Sequence, residues 1–117
     1  MRRRNSITLF FLFFLFREIG EVMNENEFQR KVIKRLKGTF PDCIVMKQDA
    51  KYKQGIPDLV VFYKDRYAML ECKKNATAKH QEQQDYYISK FNDWSYASFV
   101  YPENVDQVFE ELKEVFV

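Results

Sequence analysis

Residues 55–73, which read GIPDLVVFYKDRYAMLECK, predict the fold of this protein. A continuous apolar run starts after Asp58, as expected of a strand that is buried on both faces. A short polar turn at residues 64–66 separates this run from a second strand, predicted over Tyr67–Lys73. Because so short a connection joins antiparallel strands, the stretch predicts a β-hairpin.

Two charged side chains interrupt the second strand of this hairpin. Side chains alternate along a strand, so Glu71 and Lys73 point to one face while Leu70 and Cys72 point to the other. Burying a charge is unfavourable unless it is paired or ligates a metal. Asp58 begins the neighbouring strand, so its carboxylate is expected to approach that of Glu71.

The predicted carboxylate pair points to a divalent cation. Two carboxylates about 4 Å apart repel by about 1 kcal/mol in water and by about 4 kcal/mol at an effective dielectric constant of about 20. Either one of them is protonated or a cation lies between them, and their oxygens suit Mg²⁺ or Mn²⁺. Beside such an ion, Lys73 could stabilise charge that develops at a phosphorus atom. The alternative is a partly buried Glu–Lys ion pair at the end of an edge strand.

The rest of residues 23–117 predicts a single mixed α/β domain without a linker. The order of elements is α-β-β-β-α-β-α, which is typical of a mixed, here four-stranded, sheet flanked by helices. The further elements are helices over Asn26–Lys37 and Lys79–Asn92, strands over Cys43–Gln48 and Tyr96–Tyr101, and a final helix that opens at Pro102–Asn104.

Residues 1–22 differ in composition from this domain. Three arginines precede the apolar run Ile7–Phe16. As a helix this run would be about 15 Å long, half of what a membrane requires, and no small-residue cleavage site follows it. We expect translation to start at Met23 and the fold to exclude residues 1–22.

The cysteine content favours a reducing cytoplasm, because two cysteines cannot form a disulfide framework.

The net charge of +2 conceals an asymmetry. Residues 27–79 contain 13 basic and 6 acidic side chains, whereas residues 80–117 contain 2 basic and 8 acidic ones. A neutral domain with a basic half can present a positive face to a polyanion. An unevenly charged, solvated surface is the alternative interpretation.

Together these features resemble the PD-(D/E)XK nuclease superfamily, which has the restriction-endonuclease-like fold. The resemblance is carried by Asp58 at the start of one strand and by the Glu71-Cys72-Lys73 triplet on its hairpin partner. The Gly-Ile-Pro-Asp sequence and the compact size are closer to the VRR-NUC group and to small phage-encoded nucleases of that type. The resemblance covers residues 24–117, and the matching order of elements makes it more specific than the spacing alone.

The resemblance implies a metal-dependent DNA endonuclease. In that family a glutamate on the first helix joins the strand carboxylates, which by position implies that Glu27, Asp58 and Glu71 hold Mg²⁺. Lys73 matches the catalytic lysine. Glu27 also has a structural interpretation, because it follows Asn24 at the spacing of a capping box.

A glutamine on the helix after the Glu-x-Lys strand is also expected in this family. Gln84 is the best match, with Gln81 as the alternative. Both share a helical stripe with Ile88 and Phe91, so we expect both to face inward. A core hydrogen bond is the structural alternative for either glutamine.

Four lysines lie near the predicted site in sequence and could contact DNA phosphates, namely Lys47, Lys51, Lys53 and Lys74. Phosphate contacts carry no sequence information, so we expect structure-selective or weakly specific cutting, in phage-type replication, recombination or repair. A catalytically inactive DNA-binding module of the same fold is the alternative. A homodimer, or association with replication or recombination proteins, is left open. No membrane association is expected.

Overall fold

A computed structural model describes residues 23–117, and the expectations for residues 1–22 lie outside this range. The described chain is a mixed α/β domain with the predicted order of elements. Its helices are α1 (Glu25–Thr39), α2 (Glu82–Trp94) and α3 (Val105–Val115), and its strands are β1 (Ile44–Lys47), β2 (Leu59–Tyr63), β3 (Arg66–Cys72) and β4 (Tyr96–Val100). Within the described residues, no helix combines the length and apolar character needed to cross a membrane.

The four strands form one sheet in the order β1-β2-β3-β4. The first three are antiparallel, and β4 runs parallel to β3. The predicted hairpin is confirmed, with Tyr63 opposite Arg66 at the turn and Leu59 opposite Leu70 at the far end. Because β3 lies inside the sheet, the alternative that placed Glu71 and Lys73 on an edge strand is wrong.

Helices α1 and α3 cover one face of the sheet. An ion pair of 2.8 Å joins Arg35 of α1 to Asp106 of α3, and the Arg35 guanidinium lies 4.4 Å from the ring centroid of Phe109. Burial of apolar side chains between these helices and the sheet supplies the main stabilisation of the fold. The buried core includes Phe28, Val32 and Leu36 of α1, Val108, Phe109 and Leu112 of α3, and Leu59, Val61, Ala68, Leu70, Cys72 and Val100 of the strands.

Helix α2 packs against strands β3 and β4, on the side towards which Glu71 and Lys73 point. Its C-terminal end is held to the strands by two side-chain hydrogen bonds. Ser95 Oγ donates to the carbonyl of Tyr67, and the Ala97 N–H donates to Asn92 Oδ1 at 3.1 Å. These bonds fix the C-terminal end of α2 near the turn of the hairpin, while Gln84 at its N-terminal end contacts Lys73 and Glu71.

The loop between β1 and β2 contacts the start of α2 at Gly55. This residue has a φ of 90°, a conformation that side chains other than glycine rarely adopt. A Cβ atom at position 55 would lie 2.3 Å from the Cβ of Gln83. Glycine is therefore required there both by the backbone conformation and by the close approach to α2.

We predict opposite effects of alanine at two of the glycines. Gly55→Ala should lower the free energy of unfolding by about 1–3 kcal/mol, because strain and a steric clash coincide. Gly38 lies inside the last turn of α1, where an added Cβ meets no atom within 4 Å. Gly38→Ala should therefore raise the free energy of unfolding by about 0.5–1 kcal/mol. Urea unfolding followed by circular dichroism measures both, and equal stability of the two variants would contradict the prediction.

Candidate active site

The hairpin opens at the end where Asp58 and Glu71 face each other. The backbone pairing of β2 with β3 stops at Leu59 and Leu70. Beyond it, the Asp58 N–H donates to Glu71 Oε1 at 3.1 Å, and the Cys72 N–H donates to Asp58 Oδ2 at 3.0 Å. Each carboxylate is therefore held by a backbone donor of the opposite strand, which fixes the two acids beside each other as the sequence predicted.

A third carboxylate joins this pair from the first turn of α1, and it belongs to Glu25. One ligand oxygen from each of Glu25, Asp58 and Glu71 can be chosen so that all lie within 4.8 Å of one another. Glu27, which the resemblance placed here, lies elsewhere. Its side chain accepts the Asn24 N–H at 3.1 Å, and its own N–H donates to Asn24 Oδ1 at 2.8 Å. The structural interpretation of Glu27 as half of a capping box is confirmed.

Helical geometry explains why Glu25 and not Glu27 reaches the strands. Glu25 precedes the buried Phe28 by three residues and Val32 by seven, so it lies on the inward stripe of α1. Two residues turn a helix by about 200°, which directs Glu27 away from that stripe. Gln29, four residues after Glu25, lies on the same face of α1, and its side chain helps to lower the pKa of Asp58 against the larger effect of burial. This stripe was visible in the sequence and could have identified Glu25.

Lys73 and Gln84 complete a buried polar network behind the carboxylates. Lys73 Nζ donates to Gln84 Oε1 at 2.8 Å and to the carbonyl of Lys79 at 3.1 Å. Gln84 Nε2 donates to Glu71 Oε2 at 2.9 Å. Both charged residues are almost fully buried, with 2% of Glu71 and 6% of Lys73 exposed. The amide of Gln84 thus connects the ammonium group to the carboxylate.

The structure also distinguishes the two candidate glutamines. Gln84 is half-buried and contacts both Glu71 of β3 and Lys73, which follows the strand. Gln81 is exposed at the N-cap of α2, and its backbone N–H donates to Gln84 Oε1 at 3.1 Å. The expectation that both glutamines face inward is therefore wrong for Gln81.

The three carboxyl groups of Glu25, Asp58 and Glu71 are close together and partly buried, which disfavours their charged forms when no cation is bound. Burial, together with the nearby charge of Asp58, raises the pKa of Glu71 to about 8, and the opposing charge of Lys73 does not offset this rise. Burial is also the main reason why the pKa values of Asp58 and Glu25 are raised. Bringing hard oxygen donors together at this cost is the chemistry of a divalent-cation site, so the residues present fit Mg²⁺ or Mn²⁺.

The remaining sequence candidates lie on the surface or in the core. Lys47, Lys51, Lys53 and Lys74 are all exposed. Cys72 is fully buried among the core residues, and burial raises the pKa of its thiol. A raised pKa disfavours the thiolate, as expected of a structural cysteine rather than a nucleophile.

Comparison with known proteins supports the fold that the sequence resemblance implied. No protein-family model matches the chain, and no curated protein matches it either. A solved structure described as a VRR_NUC domain is similar at a TM-score of 0.53 and 26% sequence identity. The alignment covers 68% of this chain and 91% of that structure. The chain therefore has a VRR-NUC-like fold of the restriction-endonuclease-like type, and the similarity indicates a nuclease-type function.

We predict that Glu25 contributes to metal binding, whereas Glu27 contributes to the stability of the fold. Glu25→Gln should weaken Mn²⁺ binding by at least 10-fold with little loss of stability, because it removes one of the charged oxygen donors. Glu27→Ala should lower the free energy of unfolding by about 0.5–1 kcal/mol through loss of the cap, with Mn²⁺ affinity unchanged. Isothermal titration calorimetry and urea unfolding separate the two effects. Weaker Mn²⁺ binding in Glu27→Ala alone would contradict this assignment.

The raised pKa of Glu71 predicts how stability depends on pH in the metal-free protein. Between its ordinary value of 4.5 and about 8, the folded protein holds a proton that the unfolded chain releases. Stability should therefore fall as the pH rises through this window. Thermal unfolding in EDTA should show a decreasing Tm from pH 5.5 to 8.5, and Glu71→Gln should remove most of this decrease.

Added Mg²⁺ should offset this loss of stability at high pH in the same thermal unfolding assay. The ion competes with the proton for Glu71, so added Mg²⁺ should raise the Tm of the wild type more at pH 8 than at pH 6. Glu71→Gln provides the matched control, since it removes this carboxyl group and keeps every other side chain. A wild type and a Glu71→Gln variant with parallel pH profiles would contradict the prediction.

Proposed function

We propose that this protein is a metal-dependent endonuclease of the PD-(D/E)XK type that hydrolyses DNA phosphodiester bonds. The observation that carries the proposal is the convergence of Glu25, Asp58 and Glu71, from three separate elements, beside the buried ammonium group of Lys73. The similarity to a VRR_NUC domain supports the same reaction class. Hydrolysis adds water across one P–O bond and leaves a phosphate on one product and a hydroxyl on the other.

Glu25, Asp58 and Glu71 would hold the metal, which we take to be Mg²⁺ with Mn²⁺ as a substitute. When bound, a divalent ion lowers the pKa of water and neutralises charge on the phosphate. The backbone donors of Asp58 and Cys72 keep two of the carboxylates in position before any ion or substrate arrives. This preorganisation reduces the rearrangement that the reaction requires.

Lys73 is suited to stabilise the negative charge that develops at phosphorus. An ammonium group has three N–H donors, and within the described residues Lys73 uses two, on Gln84 and on the carbonyl of Lys79. The third can be donated to a phosphate oxygen. Gln84 then acts as a positioning residue, because its amide orients both Lys73 and Glu71 without itself contacting the phosphate.

Binding of DNA would use the exposed lysines around this site. Lys51 and Lys53 lie in the loop that leads into Asp58, Lys47 ends β1, and Lys74 follows the catalytic lysine directly. These side chains can contact phosphates but not distinguish bases, so we propose weakly specific or structure-selective cutting. Replication, recombination or repair of the phage type is the setting that we propose for such an enzyme.

A cleavage assay tests the proposal. Purified wild type, Asp58→Asn and Lys73→Met are incubated with Mg²⁺ and with linear, flapped and branched DNA, and with the matching RNA. We expect the wild type to cut DNA and each variant to lose at least 100-fold in rate, because each change removes charge stabilisation at the reacting phosphate. EDTA should abolish cutting.

The matched control is Lys113→Ala. Lys113 is an exposed lysine on α3 that pairs with Glu110 at 3.2 Å, so its loss should leave cleavage unchanged. Equal activity of wild type, Asp58→Asn and Lys73→Met would contradict the proposal. Salt-sensitive DNA binding without cleavage of any substrate would instead favour the catalytically inactive binding module.

A further inference from the structure

Tyr52 stands out among the aromatic residues of the described chain, because 88% of it is exposed. Trp94 and Tyr86 are 62% and 56% exposed and contact neighbouring rings or Lys90 on α2, and Phe62 of β2 is 41% exposed. Tyr52 lies instead between two exposed lysines, Lys51 and Lys53. An open aromatic ring flanked by two positive charges is a combination suited to a nucleic acid.

The loop that carries Tyr52 is held by hydrogen bonds on both sides. The Lys51 N–H donates to Asp49 Oδ1 at 2.8 Å, and the Tyr52 N–H donates to the Asp49 carbonyl at 3.0 Å. At its base, Gln48 Nε2 donates to the Pro57 carbonyl at 3.0 Å, and the Gln48 N–H donates to the Asp58 carbonyl at 2.8 Å. The ring is thus presented on a backbone with a defined shape, which reduces the entropy lost when a ligand binds.

The same loop is joined directly to the candidate active site. Its last residues lead into Asp58, and Gly55 contacts Gln83, the neighbour of the Gln84 that binds Lys73 and Glu71. Six residues of chain span at most about 20 Å, so Tyr52 lies within that distance of Asp58. Along a nucleic-acid strand this corresponds to about six nucleotides from the phosphate at the metal site.

We propose that Tyr52 stacks on an unpaired base close to the scissile phosphate, and that this contact makes the enzyme prefer DNA containing unpaired nucleotides. The inference rests on the proposed nuclease function and adds its substrate class. Bases inside a duplex are already stacked on both faces, whereas an unpaired base at a flap, fork or branch offers a free face to an aromatic ring. Lys51 and Lys53 bind the phosphates on either side, which holds the strand against the ring for every sequence.

The test measures binding in EDTA, where no cleavage occurs, and cleavage in Mg²⁺ as a separate readout. The probes are a forked DNA with 2-aminopurine at the first unpaired positions and a fully paired duplex of the same length. The variants are Tyr52→Ala and Tyr52→Phe, with Tyr86→Ala as the control for loss of an exposed tyrosine on α2. The quantity compared is the ratio of the Kd for duplex to the Kd for fork.

We expect Tyr52→Ala to reduce this ratio by about 5- to 100-fold, the range that stacking of one base on an aromatic side chain accounts for. Tyr52→Phe should keep the preference, because it keeps the ring, and should keep the change in 2-aminopurine fluorescence that stacking produces. Tyr86→Ala should behave as the wild type. Lys51→Ala should weaken binding of fork and duplex equally and reduce the dependence of Kd on salt.

The outcomes separate this inference from the function on which it rests. A wild type that cuts DNA while Tyr52→Ala keeps the full preference for forked DNA would overturn the role of Tyr52 alone. Equal weakening of fork and duplex by Tyr52→Ala would overturn it as well, since the ring would then be a general contact. A wild type that neither binds nor cuts any of the DNAs would overturn both proposals.

Discussion

The burial of Glu71 and Lys73 on one face of an interior strand is the constraint on which the rest of this structure depends. Neither charge can be left without partners at 2% and 6% exposure. Helix α2 meets this requirement, because Gln84 accepts from Lys73 and donates to Glu71. The close contact of Gly55 with Gln83 sets how near the preceding loop comes to that helix. The site, the helix and the loop therefore form one connected unit, in which a shift of α2 would release both charges.

The same burial of charge explains why the carboxylates of Glu25, Asp58 and Glu71 favour a proton or a cation. Glu71 and Asp58 lose hydration on burial and repel each other, and Glu25 adds a third carboxyl group from α1. The cost of this arrangement is met by a proton in the metal-free protein and would be met by a divalent cation in a metal-bound form. A buried charge cluster does not favour stability by itself, which is why its presence at the open end of the hairpin supports a catalytic interpretation.

Much of this arrangement could be predicted from residue patterns alone. The apolar run after Asp58 and the polar turn at residues 64–66 predicted the hairpin, and the antiparallel pairing of β2 with β3 confirms it. The alternation along β3 correctly separated Glu71 from Cys72, which is buried in the core. The assignment of the helix-borne acid to Glu27 was wrong in its placement, because it followed position in a family pattern rather than the inward stripe of α1. The capping box explains that error, since Glu27 is already bonded to Asn24.

The sequence by itself determined the elements, their order and the two strand acids, because hydrophobic periodicity and short turns act over neighbouring residues. Only the tertiary structure decided which glutamine contacts Lys73, because both glutamines share one stripe of the sequence. Helix α2 begins at Glu82, which leaves Gln81 at the exposed N-cap and places Gln84 in the first turn beside Lys73. The approach of the loop between β1 and β2 to α2 was also decided by the tertiary structure, because Gly55 and Gln83, which meet there, lie far apart in the chain.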